Sequence, residues 1–158
     1  MKKITILVLL TTLLGSQSFF AQQKSIDLNW QTNFEDAKKQ ASKNNKKILL
    51  YFTGSDWSSA CKNLNKDFFY TEKFKKIAEV SLILVRVDSP RRPNLISELQ
   101  SSYNTQLSKT YGQKVYPTVV LVDSSGTKLG MIESYNYLHD TSKHYELLTK
   151  VMKKKPKK

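Results

Sequence analysis

The chain has 158 residues, with 26 Lys and Arg against 13 Asp and Glu, and a formal net charge of +13 at neutral pH. Its single cysteine, Cys61, excludes an internal disulfide, so an oxidising compartment is not being used to staple this fold. The basic residues are scattered rather than gathered into one stripe, which argues against a nucleic-acid partner.

Met1-Lys2-Lys3 is followed by a mostly apolar stretch from Ile4 to Leu14, and Ala21 precedes Gln22-Gln23. A short basic start, about a dozen apolar residues and a small residue before a polar chain describe a secretory signal peptide over 1–21. The stretch falls short of the roughly 20 apolar residues that a membrane-spanning helix needs. No cysteine lies near the cleavage point, which excludes lipid attachment there. The expected location is therefore periplasmic or secreted. Residues 22–152 then make one domain, long enough to bury a core, and 153–158 make a basic tail. With Lys2, Lys3 and the five tail lysines set aside, the folded body carries about +6. A lysine-rich end is ordinarily a solvated terminus; contact with an anionic membrane surface is its alternative.

Within the domain, Asn33 is placed to cap a helix through Phe34, Ala37 and Ala41, ending at Lys43-Asn44-Asn45. Ile48 to Phe52 is an apolar run of strand length, as a central strand covered on both faces requires. Thr53-Gly54-Ser55-Asp56 breaks it. A helix from Trp57 or Ser58 carries Cys61, Leu64 and Phe68 at helical spacing, and Thr71 caps a short helix with Phe74 and Ile77. Leu82 to Val85 with Val87 forms a second buried strand, and Ser89-Pro90-Arg91-Arg92-Pro93 a loop. From Asn94 apolar residues recur every four positions at Leu95, Leu99, Tyr103, Leu107 and Tyr111, giving a helix that Gly112 ends. Val115 to Val122 reads as a third strand, and Asp123-Ser124-Ser125-Gly126 turns it into a hairpin with Lys128 to Ile132. A last helix from about Thr141 presents Tyr145, Leu148 and Met152. This order implies an α/β fold with a central mixed β-sheet and helices on both faces.

Three pieces of that order coincide. An apolar strand enters Gly54-Ser55-Asp56-Trp57-Ser58-Ser59-Ala60-Cys61-Lys62; Val115-Tyr116-Pro117-Thr118-Val119 follows far downstream; then comes the Asp123–Gly126 hairpin. Together they resemble the thioredoxin-like family, in particular its exported bacterial members, over roughly residues 30–152. In that family the first piece reads Trp-Cys-x-x-Cys-Lys and the proline is cis. The resemblance implies a thioredoxin-like fold, thiol–disulfide chemistry at positions 58 and 61, and a client-binding surface of Trp57, Val115, Tyr116 and Pro117 that pairs with an extended peptide.

Two departures bear on the chemistry. The family's first motif cysteine falls on Ser58, so only the second is present, as Cys61. The buried acid that thioredoxins proper keep in the preceding strand falls on Tyr51. A hydroxyl cannot form a disulfide, so a dithiol–disulfide cycle within this chain is impossible. Cys61 then has three readings: a small buried hydrophobe, a one-thiol exchanger made accessible by the smaller Ser58, or the sulfur of a peroxiredoxin-like peroxidase. The last wants a proline at Gly54 and a positioned arginine, for which Arg86, Arg91 and Arg92 are candidates. A client-binding or assembly role through Trp57 and Pro117 needs no thiol at all. The site residues are therefore Cys61 and Ser58 as the reacting pair, with a client polypeptide or thiol partner. No cofactor is expected. His139 and His144 read as surface residues rather than metal ligands.

Overall fold

Ile48 to Thr53 are all buried within one seven-residue strand, Lys47–Thr53 (β2), so both of its faces must be covered. The computed structural model describes residues 26–153; the expected signal peptide and residues 154–158 of the basic tail lie outside the described residues. Around β2 the chain places β1 (Trp30–Gln31), α1 (Phe34–Asn44), α2 (Ser59–Leu64), a π-helical segment (Asn65–Phe69), α3 (Glu72–Ser81), β3 (Leu82–Asp88), α4 (Glu98–Tyr111), β4 (Thr118–Val122), β5 (Lys128–Glu133) and α5 (Ser142–Lys153).

The five strands form one sheet in the order β1-β3-β2-β4-β5. β1 and β2 run parallel to β3, while β4 runs antiparallel to both β2 and β5. Pleating sends alternate residues of β2 to opposite faces. Ile48, Leu50 and Phe52 pack with Phe34, Ala37 and Ala41 of α1 and with Leu107 and Tyr111 of α4. Leu49 and Tyr51 pack on the other side with Leu64, Phe68, Phe74, Leu148 and Val151. The expected α/β architecture, a mixed sheet between two helical layers, is the one found.

Local chemistry accounts for most boundaries. Asn33, Ser58, Thr71 and Ser97 each accept a hydrogen bond from the backbone N–H three residues on, capping α1, α2, α3 and α4. Asn45 and Gly112 close α1 and α4 in the left-handed conformation.

Four expectations need correction. The helix with the four-residue apolar repeat begins at Glu98, not Asn94: Asn94 has φ +69° and Ser97 is the cap. Leu95 and Leu99, the first two members of the repeat, are exposed, so only its later members face the core. The third strand begins at Thr118, because Pro117 has no N–H to give a ladder and its bond to Tyr116 is cis. The helix carrying Cys61 is interrupted, since Tyr70 N–H donates to Asn65 O at 2.7 Å and opens a π turn. That turn buries both of the adjacent residues Phe68 and Phe69 completely. Finally, His144 is not a surface residue. It is 4% exposed on the inward face of α5, against the rings of Phe68 and Tyr135.

Candidate functional site

The parallel strands β2 and β3 end side by side at Thr53 and Asp88, and the loops that follow them are laced together. Asp88 accepts from the Ser55 N–H at 3.0 Å and from the Ser55 hydroxyl at 2.5 Å. Asp56 reaches the opposite way, accepting from the N–H groups of Arg91 at 3.0 Å and Arg92 at 2.9 Å. The Arg92 N–H, opposed by desolvation and joined by the Arg91 N–H, holds the Asp56 carboxyl below its usual range. The loop entering α2 and the loop leaving β3 are thus one polar unit.

Trp57 stands on that unit. Its indole N–H donates to Ser89 O at 2.9 Å, the Arg91 guanidinium lies 4.4 Å from its ring centroid, and Tyr116 meets it edge-on at 5.5 Å. Gly54 makes the placement possible, because a Cβ there would overlap the indole ring. In the sequence Gly54 marks a strand end, the head of the motif and an unmatched peroxidase position, none of which calls for the close packing of an indole. Asp56 stands in that motif without an evident role, although a small acid in a turn beside a helix start is a signal for backbone capture.

Val115, Tyr116 and Pro117 approach from the other side of Trp57. Val115 is 42% exposed, Tyr116 half-buried and Pro117 buried. The Val115 carbonyl is held by the Thr118 hydroxyl at 2.7 Å and by Gln113 Nε2 at 2.8 Å. Among the described residues, the N–H groups of Val115 and Tyr116 find no acceptor. The four residues named for client binding therefore come together at one end of the sheet.

Ser58 and Cys61 lie beside them but face inward. Ser58 is 6% exposed, and its Oγ accepts from Cys61 N–H at 3.2 Å, so the hydroxyl serves as the cap of α2. Cys61 is fully buried. This overturns the expectation that the smaller Ser58 leaves the sulfur accessible. The reason is direction: Cys61, Leu64 and Phe68 share the inward stripe of the helical segment. Tyr51, the residue at the family's buried-acid position, lies beneath them and donates its hydroxyl to Cys61 O at 3.2 Å. Burial pushes the Tyr51 hydroxyl well above the ordinary phenol range, with the Cys61 group adding to the effect.

The three arginines considered for peroxide chemistry are engaged elsewhere. Arg86 stacks on Trp30 at 5.2 Å, Arg91 on Trp57, and Arg92 pairs with Asp56. The two histidines are not at the site. His139 Nδ1 lies 2.5 Å from Asp67 Oδ2, the oxygen that also accepts from the Tyr135 hydroxyl at 2.9 Å. Desolvation raises the Asp67 carboxyl, but these partners outweigh it and hold the group low.

Comparisons with known proteins place this geometry. A family model described as thioredoxin-like matches residues 29–124. A disulfide bond reductase, DsbH, from Chlamydia pneumoniae is 32% identical over 103 residues, covering 65% of this chain and 61% of that protein. The match therefore spans less than two thirds of that relative's length. A solved DsbH oxidoreductase superposes with a TM-score of 0.68 at 28% identity, covering 79% of this chain and 87% of the other. A thioredoxin from Thermus thermophilus, at 15% identity, shares the fold with a TM-score of 0.62 over 81% of this chain and 89% of its own.

Proposed function

We propose, because this chain belongs to the thioredoxin-like family, that it is an exported member whose working surface binds client polypeptides and that, with one thiol, it is not a dithiol oxidoreductase. One contrast carries this reading. Cys61 is fully buried and Ser58 is committed to capping α2, while the exposed Val115 and the half-buried Trp57 and Tyr116 lie beside backbone N–H groups of Val115 and Tyr116 that find no acceptor among the described residues. An extended peptide adding to such an edge gains main-chain hydrogen bonds from its own carbonyls and burial against the indole. Export rests on the basic-apolar-small pattern of residues 1–21.

The probe that isolates this activity is a permanently unfolded polypeptide with every cysteine carbamidomethylated, which has no thiol to exchange. The chain from Gln22 onward is expected to bind it, Cys61→Ala to bind within about twofold of wild type, and Trp57→Ala to lose at least about tenfold. A second reading, one-thiol exchange through Cys61, is favoured by the 32% identical relative that is named a disulfide bond reductase. It gains if the blocked polypeptide does not bind while a disulfide-bearing one is trapped as a mixed disulfide that Cys61→Ala abolishes. A wholly structural role leaves both variants indistinguishable from wild type in every assay.

A further inference from the structure

The charges around the Trp57 surface are sorted by depth. Its carboxylates are turned inward and occupied: Asp88 by Ser55, and Asp56, whose side chain is 5% exposed, by the Arg91 and Arg92 amides. Its cations point outward. The Arg92 side chain is 72% exposed although its Nε lies 3.5 Å from Asp56 Oδ2, Arg91 is exposed with its guanidinium 4.4 Å from the indole centroid, and Lys62 is exposed with its ammonium 3.3 Å from Asp56 O. On the Pro117 side the exposed Lys114, next to Val115, is offset by Glu133, which pairs across from Thr118 and is exposed at the end of β5. The excess of positive charge therefore lies beside Trp57, with Arg91, Arg92 and Lys62, and not beside Pro117.

We infer that the client held here is an extended polypeptide segment with acidic side chains at the end that lies over Trp57, its carboxylates set against Arg91 and Arg92. This rests on the client-binding reading above and gives its substrate class. A guanidinium already parked on an aromatic face meets a carboxylate with little further ordering, and its planar donors suit that partner. Each exposed pair changes affinity by about two- to fivefold, so two together give roughly tenfold, and salt weakens both. A polypeptide fits better than an anionic lipid surface because the N–H groups of Val115 and Tyr116, which find no acceptor among the described residues, ask for main-chain carbonyls.

The test uses three unstructured peptides of identical apolar sequence with Glu, Ser or Lys at the flanking positions, titrated into the chain from Gln22 onward. The Glu peptide is expected to bind about tenfold tighter than the Ser peptide, with the gap closing as salt rises. Arg91→Gln with Arg92→Gln should cut that gap below about threefold, with an unchanged thermal midpoint showing the fold intact. Lys43→Gln with Lys150→Gln, on distant helices, should leave it in place. Equal binding of all three peptides overturns the acidic preference and leaves client binding standing, whereas failure of every peptide removes both. If the distant lysines matter as much as the arginines, the preference is only the chain's overall positive charge and the inference falls. It also falls if vesicles containing phosphatidylglycerol show the arginine dependence and the peptides do not.

Discussion

A sulfur on the inward face of a helix reacts only when that helix opens, so the chemistry of Cys61 is set by its direction before any question of acidity arises. The Ser58 hydroxyl reinforces this, tying the first turn of α2 to the Cys61 amide. Spacing made the inward stripe of Cys61, Leu64 and Phe68 legible in the sequence. The same spacing already argued against an accessible thiol, and the size of Ser58 was the weaker signal. His144 was not legible, because nothing local marks a histidine as buried. Both of its ring nitrogens are buried without a partner among the described residues, and burial lowers its pKa from 6.5 to about 4. Its folded value lies below its unfolded value, so the unfolded chain takes up the proton first as pH falls. The stability tied to the neutral ring is full above about pH 6.5 and drains towards pH 4, amounting to about 2 kcal/mol between pH 7 and pH 5. Asp67, held below its usual range, drains in the same direction at lower pH. His144→Phe, which suits the neighbouring Phe68 and Tyr135 rings, should remove about that much of the difference between urea midpoints at pH 5 and pH 7. An unchanged difference would place the titration elsewhere.

Between elements, the connection from β2 to α2 decides the site. Gly54 clears the space for the Trp57 indole, while Asp56 and Asp88 bind the two loops to each other. Gly54→Ala is expected to keep the sheet, since the added methyl meets a side chain and not the backbone. It should displace Trp57, shifting its fluorescence and weakening client binding to about the level of Trp57→Ala. Binding that survives Gly54→Ala would mean the indole is not the contact. The π turn at Asn65–Phe69 has a structural counterpart to this. Phe68 packs within about 5 Å, centroid to centroid, of Phe69, Phe74, His144 and Tyr145, so Phe68→Ala should cost about 3–5 kcal/mol in urea unfolding. The apolar spacing pointed to Phe68. It could not show the widened turn, which lets a second phenylalanine reach the same core. The two-residue β1 left no pattern to find, and the start of α4 was misplaced because Leu95 and Leu99 continue an apolar repeat into solvent.

For the whole molecule, buried runs, caps and a hairpin turn were enough to indicate a mixed sheet between two helical layers, though not β1 or the strand order, since these signals are local and agree with one another. The neighbourhood of Trp57, Ser58, Cys61 and Val115 to Pro117, proposed as the site, was legible as a set of positions. Its electrostatic frame was not, because Asp56, Asp88, Arg91 and Arg92 come from two loops that only the parallel pairing of β2 and β3 brings together. Export, proposed from residues 1–21, is expected to appear as a chain shortened to begin near Gln22 in the periplasmic or extracellular fraction; a full-length cytoplasmic product would remove that part of the reading. The central claim, that the one thiol is shielded by the fold, is tested most directly by the alkylation rate of Cys61 in the native chain against the same chain in denaturant. Native alkylation should be at least about 100-fold slower, following the rare opening of the α2 region. A native rate equal to or above the unfolded one would contradict it and return Cys61 to the centre of the function.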